Sequence, residues 1–168
     1  IQAPKNLSAR PTTDFAKTGL FNILNNHLDY EGLHVLDIFC GTGNIAFEFA
    51  SREARLVTAI DKDFHCTGFI KNESVKLGLK NLQVIKTEVY SWLKKCTEKY
   101  DLIFADPPYD TAETKTLPDL IFSKRLLKEN GILIVEHGER ESFDDHPNCY
   151  THRNYGNVHF SFFRLTTA

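Results

Sequence analysis

His34-Val35-Leu36-Asp37-Ile38-Phe39-Cys40-Gly41-Thr42-Gly43 is the stretch that decides the fold. Residues 34–39 are an almost unbroken apolar run, the pattern of a strand buried on both faces. Gly41 and Gly43 follow at once, and Phe47, Phe49 and Ala50 behind them carry helical spacing. A buried strand, a glycine turn and a helix form the opening half of a βαβ unit.

Outward from that stretch the same alternation repeats. Residues 56–60 read as a second strand ending at Asp61, 64–77 as a helix stopped by Gly78, 82–85 as a third strand, and 89–95 as a short helix. Residues 100–105 form a fourth strand that runs into Asp106-Pro107-Pro108-Tyr109, and proline ends it there. Helical spacing spans 117–127, a fifth strand 131–136, and residues 150–155 and 158–165 form a closing hairpin around Gly156-Asn157. On the other side, Thr12-Thr13-Asp14 offers cap side chains for a helix that runs to His27 despite Gly19. The pattern predicts an α/β protein with a doubly wound, mostly parallel sheet whose last strands need not be parallel.

Composition sets the outer bounds. The 168 residues, 42% hydrophobic and 25% charged, suit one domain with a full core, and the thirteen Phe, six Tyr and one Trp are too many large apolar groups for a disordered chain. No apolar run is long enough to span a bilayer, so a soluble protein is expected. Cys40, Cys66, Cys96 and Cys149 lie far apart without a C-x-x-C pair or an apolar leader; they read as structural thiols of a reduced cytoplasm, with Cys96 open to solvent and no metal implied. The net charge of −2 gives no global pull on a phosphate backbone, so any nucleic-acid contact must be local. The sequence has no Met, even at position 1, which reads as a missing first segment.

The glycine turn is placed where a cofactor binds, because glycine lets the backbone approach a ligand without a Cβ in the way. Gly41 to Ala46 also satisfies the loose G-x-G-x-x-A dinucleotide pattern, with Asp61 twenty residues beyond Gly41 as a ribose-binding acid. Asp37 weighs against a dinucleotide, since a carboxylate beside an anionic pyrophosphate is unfavourable. S-adenosylmethionine carries a sulfonium and an amino group, so an acid there is favourable, and acids that merely cap amides rarely sit inside apolar strands. Phe39, Thr42 and Asn44 of the loop join Asp37, Gly41, Gly43 and Asp61 in the expected cofactor set. Lys62 is carried with them, its plainer reading being a solvated charge at a helix start. At the end of the third strand Glu88 faces two readings of equal weight, a bond to the adenine amino group with Val89 against the ring, or an acid at a helix N-terminus.

Asp106-Pro107-Pro108-Tyr109 carries the chemistry. An exocyclic base nitrogen is a poor nucleophile because its lone pair is delocalised, so an enzyme must bond its hydrogens. Asp106, read as ionised from a reference pKa of about 3.9, supplies one acceptor and the Pro107 carbonyl another. Each proline fixes φ and restricts the residue before it, which turns that carbonyl outward. Tyr109 offers a face on which an extruded base stacks. Taken alone, Asp-Pro-Pro is a respectable strand terminator; with the glycine loop and two strand-end acids, catalysis is the stronger reading. His137, at a strand end, reads as a satisfied structural histidine.

These residues resemble the Asp-Pro-Pro-Tyr class of amino methyltransferases, and within it the bacterial small-subunit (16S) ribosomal RNA guanine-N2 methyltransferase family. The marks are Arg10-Pro11-Thr12-Thr13-Asp14 with Leu20-Phe21-Asn22, Leu36 through Gly43, Phe104-Ala105-Asp106-Pro107-Pro108-Tyr109, and Tyr155-Gly156 with Phe160 and Phe163. The resemblance implies a Rossmann-like seven-stranded sheet with one reversed strand near the C-terminus, S-adenosylmethionine over the glycine loop, with Asp106 also on the cofactor side, and a guanine at Asp106, Pro107, Pro108 and Tyr109. It implies that residues 1–30 form a lid segment and helix on a methyltransferase domain of residues 31–168, with Arg10, Pro11, Thr12, Thr13 and Lys17 over the cofactor and toward RNA. Lys17 stands where the family usually has arginine, and Thr18 and Gly19 also depart. The implied partner is ribosomal RNA, naked or in an assembled small-subunit particle, with a monomeric protein and no membrane. Adenine-N6 methylation uses the same chemistry and is the nearest alternative, although a DNA enzyme usually carries an added recognition domain. A nicotinamide-dependent oxidoreductase leaves residues 106–109 without a role, and a non-catalytic RNA-binding module does not account for Asp106 and Tyr109.

Overall fold

The computed structural model describes residues 1–7, 12–108 and 111–166. In chain order the elements are α1 (Asp14–Asn25), β1 (His34–Ile38), α2 (Asn44–Ser51), β2 (Leu56–Asp61), α3 (Phe64–Lys76), β3 (Leu82–Lys86), α4 (Val89–Lys95), β4 (Tyr100–Ala105), α5 (Ala112–Ser123), β5 (Leu127–His137), β6 (Cys149–Tyr155) and β7 (Val158–Arg164). They form one seven-stranded sheet in the order β3-β2-β1-β4-β5-β7-β6. Strands β1 to β5 are parallel; β7 is antiparallel to both β5 and β6, so it is the one reversed strand.

Side-chain alternation along β1 divides the core into two layers. Val35 packs with Leu20, Phe21 and Leu24 of α1 and Ile45, Phe49 and Ala50 of α2. Leu36 and Ile38 point the other way, toward Val89 and Leu93 of α4 and Leu117 and Ile121 of α5. Asp37 therefore belongs to the α1/α2 side. The chain winds from β1 outward to β3, then returns to β4 on the other side of β1, so the order reverses between β1 and β4. A crevice opens at such a point, outside the carboxyl ends of the strands.

Side-chain caps fix where helices begin. Thr13 accepts the Ala16 N–H at 3.2 Å, Asp63 those of His65 and Cys66 at 2.8 and 3.0 Å, and Thr111 that of Thr114 at 3.3 Å. The Thr111 cap starts α5 five residues earlier than its apolar spacing suggests, and the helix ends at Ser123, not at 127. Leu126 and Leu127 are buried, but they lie beyond Arg125 at φ +54°, where the chain turns into β5. β5 accordingly starts before residue 131: Leu127 pairs with Tyr100, a register shift follows, and Ile132 pairs with Leu102. Helix α1 stops at Asn25, two residues short of the expectation, and Cys96 is buried, not open to solvent. Among the described residues no helix is long and apolar enough to cross a membrane.

Gly19 weakens α1 as an isolated helix, yet the Tyr155 ring of β6 lies where a Cβ would stand. Close approach of the hairpin to α1 thus requires glycine. Gly19→Val is expected to cost about 1–3 kcal/mol through overpacking, read as a fall of several degrees in Tm. An unchanged Tm would mean that Tyr155 swings aside freely.

Candidate active site

A cavity of about 1030 Å³ occupies the crevice. Its floor is the turn after β1. Phe39 (φ +57°), Gly41 (φ +54°) and Gly43 (φ +82°) all adopt the left-handed region, and a Cβ on Gly43 would lie 2.8 Å from Ile70 of α3. The turn is closed by Cys40 N–H to Ile60 O at 3.0 Å and Gly43 N–H to Cys40 O at 2.9 Å. A bulky residue such as Phe39 held at positive φ is strained, and strain of this kind collects at ligand sites. At the end of β2, Asp61 accepts the Gly41 N–H at 2.8 Å through Oδ2 and the Asp63 N–H at 2.9 Å through Oδ1. The acid thereby ties the glycine turn to the start of α3.

Three carboxyl groups come from three adjacent strand ends: Asp37 in β1, Asp106 after β4 and Glu136 in β5. Asp37 and Glu136 are 1% and 2% exposed. Burial pushes the Asp37 carboxyl well above its usual range, against a hydrogen bond from the Ala46 N–H, and Asp61 and Glu136 add to the rise. Asp106 is also pushed well up, by burial first, then by its hydrogen bond to Glu136 and by the charges of Glu136 and Asp37. This corrects the reading of Asp106 as simply ionised: sequence gives the reference value, and a second buried acid changes it.

Asp37 Oδ2 is buried and has no hydrogen-bond partner among the described residues. A buried, unpartnered carboxylate oxygen is costly unless a donor or cation meets it. Among the described residues, six acids (Asp37, Asp61, Glu88, Asp106, Glu113, Glu136) line the cavity against one base, Lys62. This donor set fits a ligand bearing sulfonium and ammonium groups and does not fit a pyrophosphate.

Raised folded-state carboxyls leave their mark on stability. Their contribution is fully present below the ordinary carboxylate range and is lost as pH rises through the raised folded values. Asp106→Asn removes that loss. Its Tm relative to the unmodified protein is expected to rise as pH climbs above the ordinary carboxylate range, from about pH 4 upward. A relative Tm that falls over this interval would show that Asp106 ionises in the fold without penalty.

The segment before α1 lies against this wall. Thr12 and Thr13 line the cavity; Thr12 Oγ1 donates to Glu136 Oε2 at 3.1 Å, and Asn44 Nδ2 donates to the Thr12 carbonyl at 3.2 Å. Lys17 donates to Asn44 Oδ1 at 3.0 Å and pairs with Glu48 at 3.6 Å, so it braces the segment and does not stand free for a phosphate. Glu88 caps α4 by accepting from Tyr90 and Ser91 N–H at 3.0 and 2.7 Å, as its helix N-terminus reading expects, and it lines the cavity with Val89. The Ser91 N–H, followed by that of Tyr90, holds its carboxyl below the usual range. Phe39, Thr42, Lys62, Pro107 and Pro108 also line the cavity. Arg10, Pro11 and Tyr109 fall outside the described residues.

Glu136 and Tyr90 were not singled out from sequence. Glu136 carries the signal that marked Asp37, an acid at the end of an apolar strand; Tyr90, whose ring meets Phe39 at 5.5 Å between centroids, carries none. His137 is buried, its Nε2 2.7 Å from Ser161 Oγ and its Nδ1 3.0 Å from Gly138 O, and burial lowers its pKa.

The strand order, the single reversed strand and the glycine turn flanked by strand-end acids define a Rossmann-like methyltransferase fold. The chain belongs to the family described as Conserved hypothetical protein 95, whose model matches residues 1–164. It is 36% identical over 132 residues, 79% of this chain and 66% of the relative, to the ribosomal RNA small subunit methyltransferase D of Buchnera aphidicola subsp. Baizongia pistaciae. To the protein of that name from Buchnera aphidicola subsp. Acyrthosiphon pisum it is 31% identical over 140 residues, 82% of this chain and 72% of that one. The chain thus spans roughly two thirds of the first relative's length. A solved structure of the Escherichia coli protein yhhF, described provisionally as a methyltransferase, superposes with a TM-score of 0.83 at 24% identity, covering 97% of this chain and 90% of that one. The family resemblance read from residues 36–43 and 104–109 holds.

Proposed function

We propose that this protein transfers a methyl group from S-adenosylmethionine to the exocyclic N2 amino group of a guanine in small-subunit ribosomal RNA. One observation carries the reading: Asp106-Pro107-Pro108 leaves β4 into the same acid-walled cavity that the glycine turn floors. The relatives named for small-subunit ribosomal RNA methylation point the same way. When bound, S-adenosylmethionine supplies a methyl carbon on a cationic sulfur.

In this reading Asp61 accepts the ribose hydroxyls, Glu88 and Val89 meet the adenine, and Asp37 meets cationic parts of the cofactor, with Phe39, Gly41, Thr42, Gly43, Asn44 and Lys62 completing the wall. Asp106 and the Pro107 carbonyl bond the hydrogens of the target amine, and Tyr109 stacks on the base. Arg10, Pro11, Thr12 and Thr13 close over the site from the N-terminal side, with Lys17 as brace. The raised carboxyls of Asp37 and Asp106 agree with a cationic cofactor, whose arrival favours their ionised forms.

The test is methyl transfer from labelled S-adenosylmethionine to undermodified small-subunit RNA, free and in the assembled particle, followed by mass spectrometry of the nucleosides. N2-methylguanosine is expected. N6-methyladenosine in its place would overturn the base assignment, and no methylated nucleoside on either substrate would overturn the function.

A further inference from the structure

We propose that Glu136 is the positioning residue of the Asp106 carboxyl: it stands beside that acid at the β4–β5 edge and is itself held by Thr12, so one side chain sets both Asp106 and Thr12. The inference rests on the role given to Asp106 above.

The juxtaposition follows from the sheet. Ala105 of β4 pairs with Val135 of β5 in parallel register, so Asp106, the first residue after β4, comes beside Glu136, which is still in β5 and paired with Phe160 of β7. The Asp106 N–H donates to Ile38 O at 3.3 Å, which fixes its backbone to β1. After burial, the Glu136 side chain and its charge push the Asp106 carboxyl up. An ionised carboxyl group only accepts, so a hydrogen bond between the two acids needs a proton on one of them. The second Glu136 oxygen accepts the Thr12 hydroxyl at 3.1 Å across 124 residues of chain, and Thr12 and Glu136 are 8% and 2% exposed. Asp37 from β1 also acts on Asp106, and Asp61 from β2 acts on Asp37; Glu88 and Glu113 line the same cavity, with Lys62 as its described lysine and Lys17 paired with Glu48.

A purely structural glutamate would hold Thr12 and leave the titration of Asp106 to burial alone. Glu136 as positioning residue makes that titration depend on its charge. The protonated form that the raised carboxyl favours in the free protein is then the one that a cationic ligand, or ionisation at higher pH, must displace before Asp106 accepts a hydrogen bond from a substrate amine.

The experiment uses the free protein, labelled with carbon-13 at the aspartate carboxyl groups, and follows Asp106 by NMR through a pH titration; Asp106→Asn and Asp37→Asn assign the two buried signals. Glu136→Gln preserves size and removes the charge, and the Asp106 midpoint should fall by about one pH unit or more. Glu136→Asp keeps the charge and draws it back from Asp106 by one methylene, so the Asp106 midpoint should fall by less than in Glu136→Gln. This variant keeps a readout if Glu136→Gln does not fold. An unchanged midpoint in Glu136→Gln or, where that variant does not fold, in Glu136→Asp overturns the proposal. Neither cofactor nor RNA enters the measurement, so failure of methyl transfer and failure of this inference are read separately.

Discussion

Asp106→Asn is expected to lower kcat about 10²–10⁴-fold while leaving the affinities for cofactor and RNA within a few-fold. Asparagine is close in shape to the protonated acid, and the free protein already holds Asp106 toward that form against Glu136. The variant should therefore fold well, and the defect should appear only where an ionised carboxylate is required. That point is the transition state, in which the target nitrogen gains positive charge and its N–H bonds to Asp106 strengthen. Single-turnover transfer with both ligands saturating isolates this step. Tyr109→Phe should retain activity by keeping the stacking face, whereas Tyr109→Ala should lose it. Rates near the unmodified protein for both Asp106→Asn and Tyr109→Ala would reduce residues 106–109 to a strand terminator.

The second large effect is expected from Asp61→Ala. Asp61 holds the glycine turn through the Gly41 N–H and anchors the start of α3 through the Asp63 N–H. In the proposed complex it also accepts the ribose hydroxyls. Bonds to a charged group contribute about 1.5–3 kcal/mol, so cofactor affinity should fall about 10- to 100-fold. Calorimetric titration with S-adenosylmethionine measures it on a variant shown to be folded. Unchanged affinity would place the cofactor away from the ends of β1 and β2.

The glycine turn and the Asp106-Pro107-Pro108 strand end were legible in the sequence because both are local. A glycine turn after a buried strand, and an acid followed by two prolines at a strand end, are written in consecutive residues with fixed backbone consequences. Asp37 was legible for a related reason, since a charge in an apolar run needs a partner wherever the chain goes. The alternation of strand and helix predicted the parallel sheet, and the turn at Gly156-Asn157 predicted the hairpin that places β7 antiparallel in it. Element ends were less legible where tertiary packing outweighs periodicity, as at Leu126 and Leu127, which have helical spacing yet lead into β5.

Properties that depend on residues far apart in the chain were decided only by the tertiary structure. Asp106 and Glu136 are thirty residues apart in sequence and become neighbours through the β4–β5 register. Burial, with their proximity and Asp37 behind them, pushes the Asp106 carboxyl well above its reference range. Lys17 reads as a free cation until α1 and α2 bring it to Asn44 and Glu48, and Gly19 reads as a weak point until Tyr155 is found against it. The sequence by itself determined the fold class, the glycine turn and the acid-proline end of β4, because backbone geometry and burial of apolar runs follow from local residue order. The raised carboxyls of Asp37 and Asp106 and the seating of Thr12 and Thr13 were settled by folding alone, because charge coupling and close packing depend on distance in space.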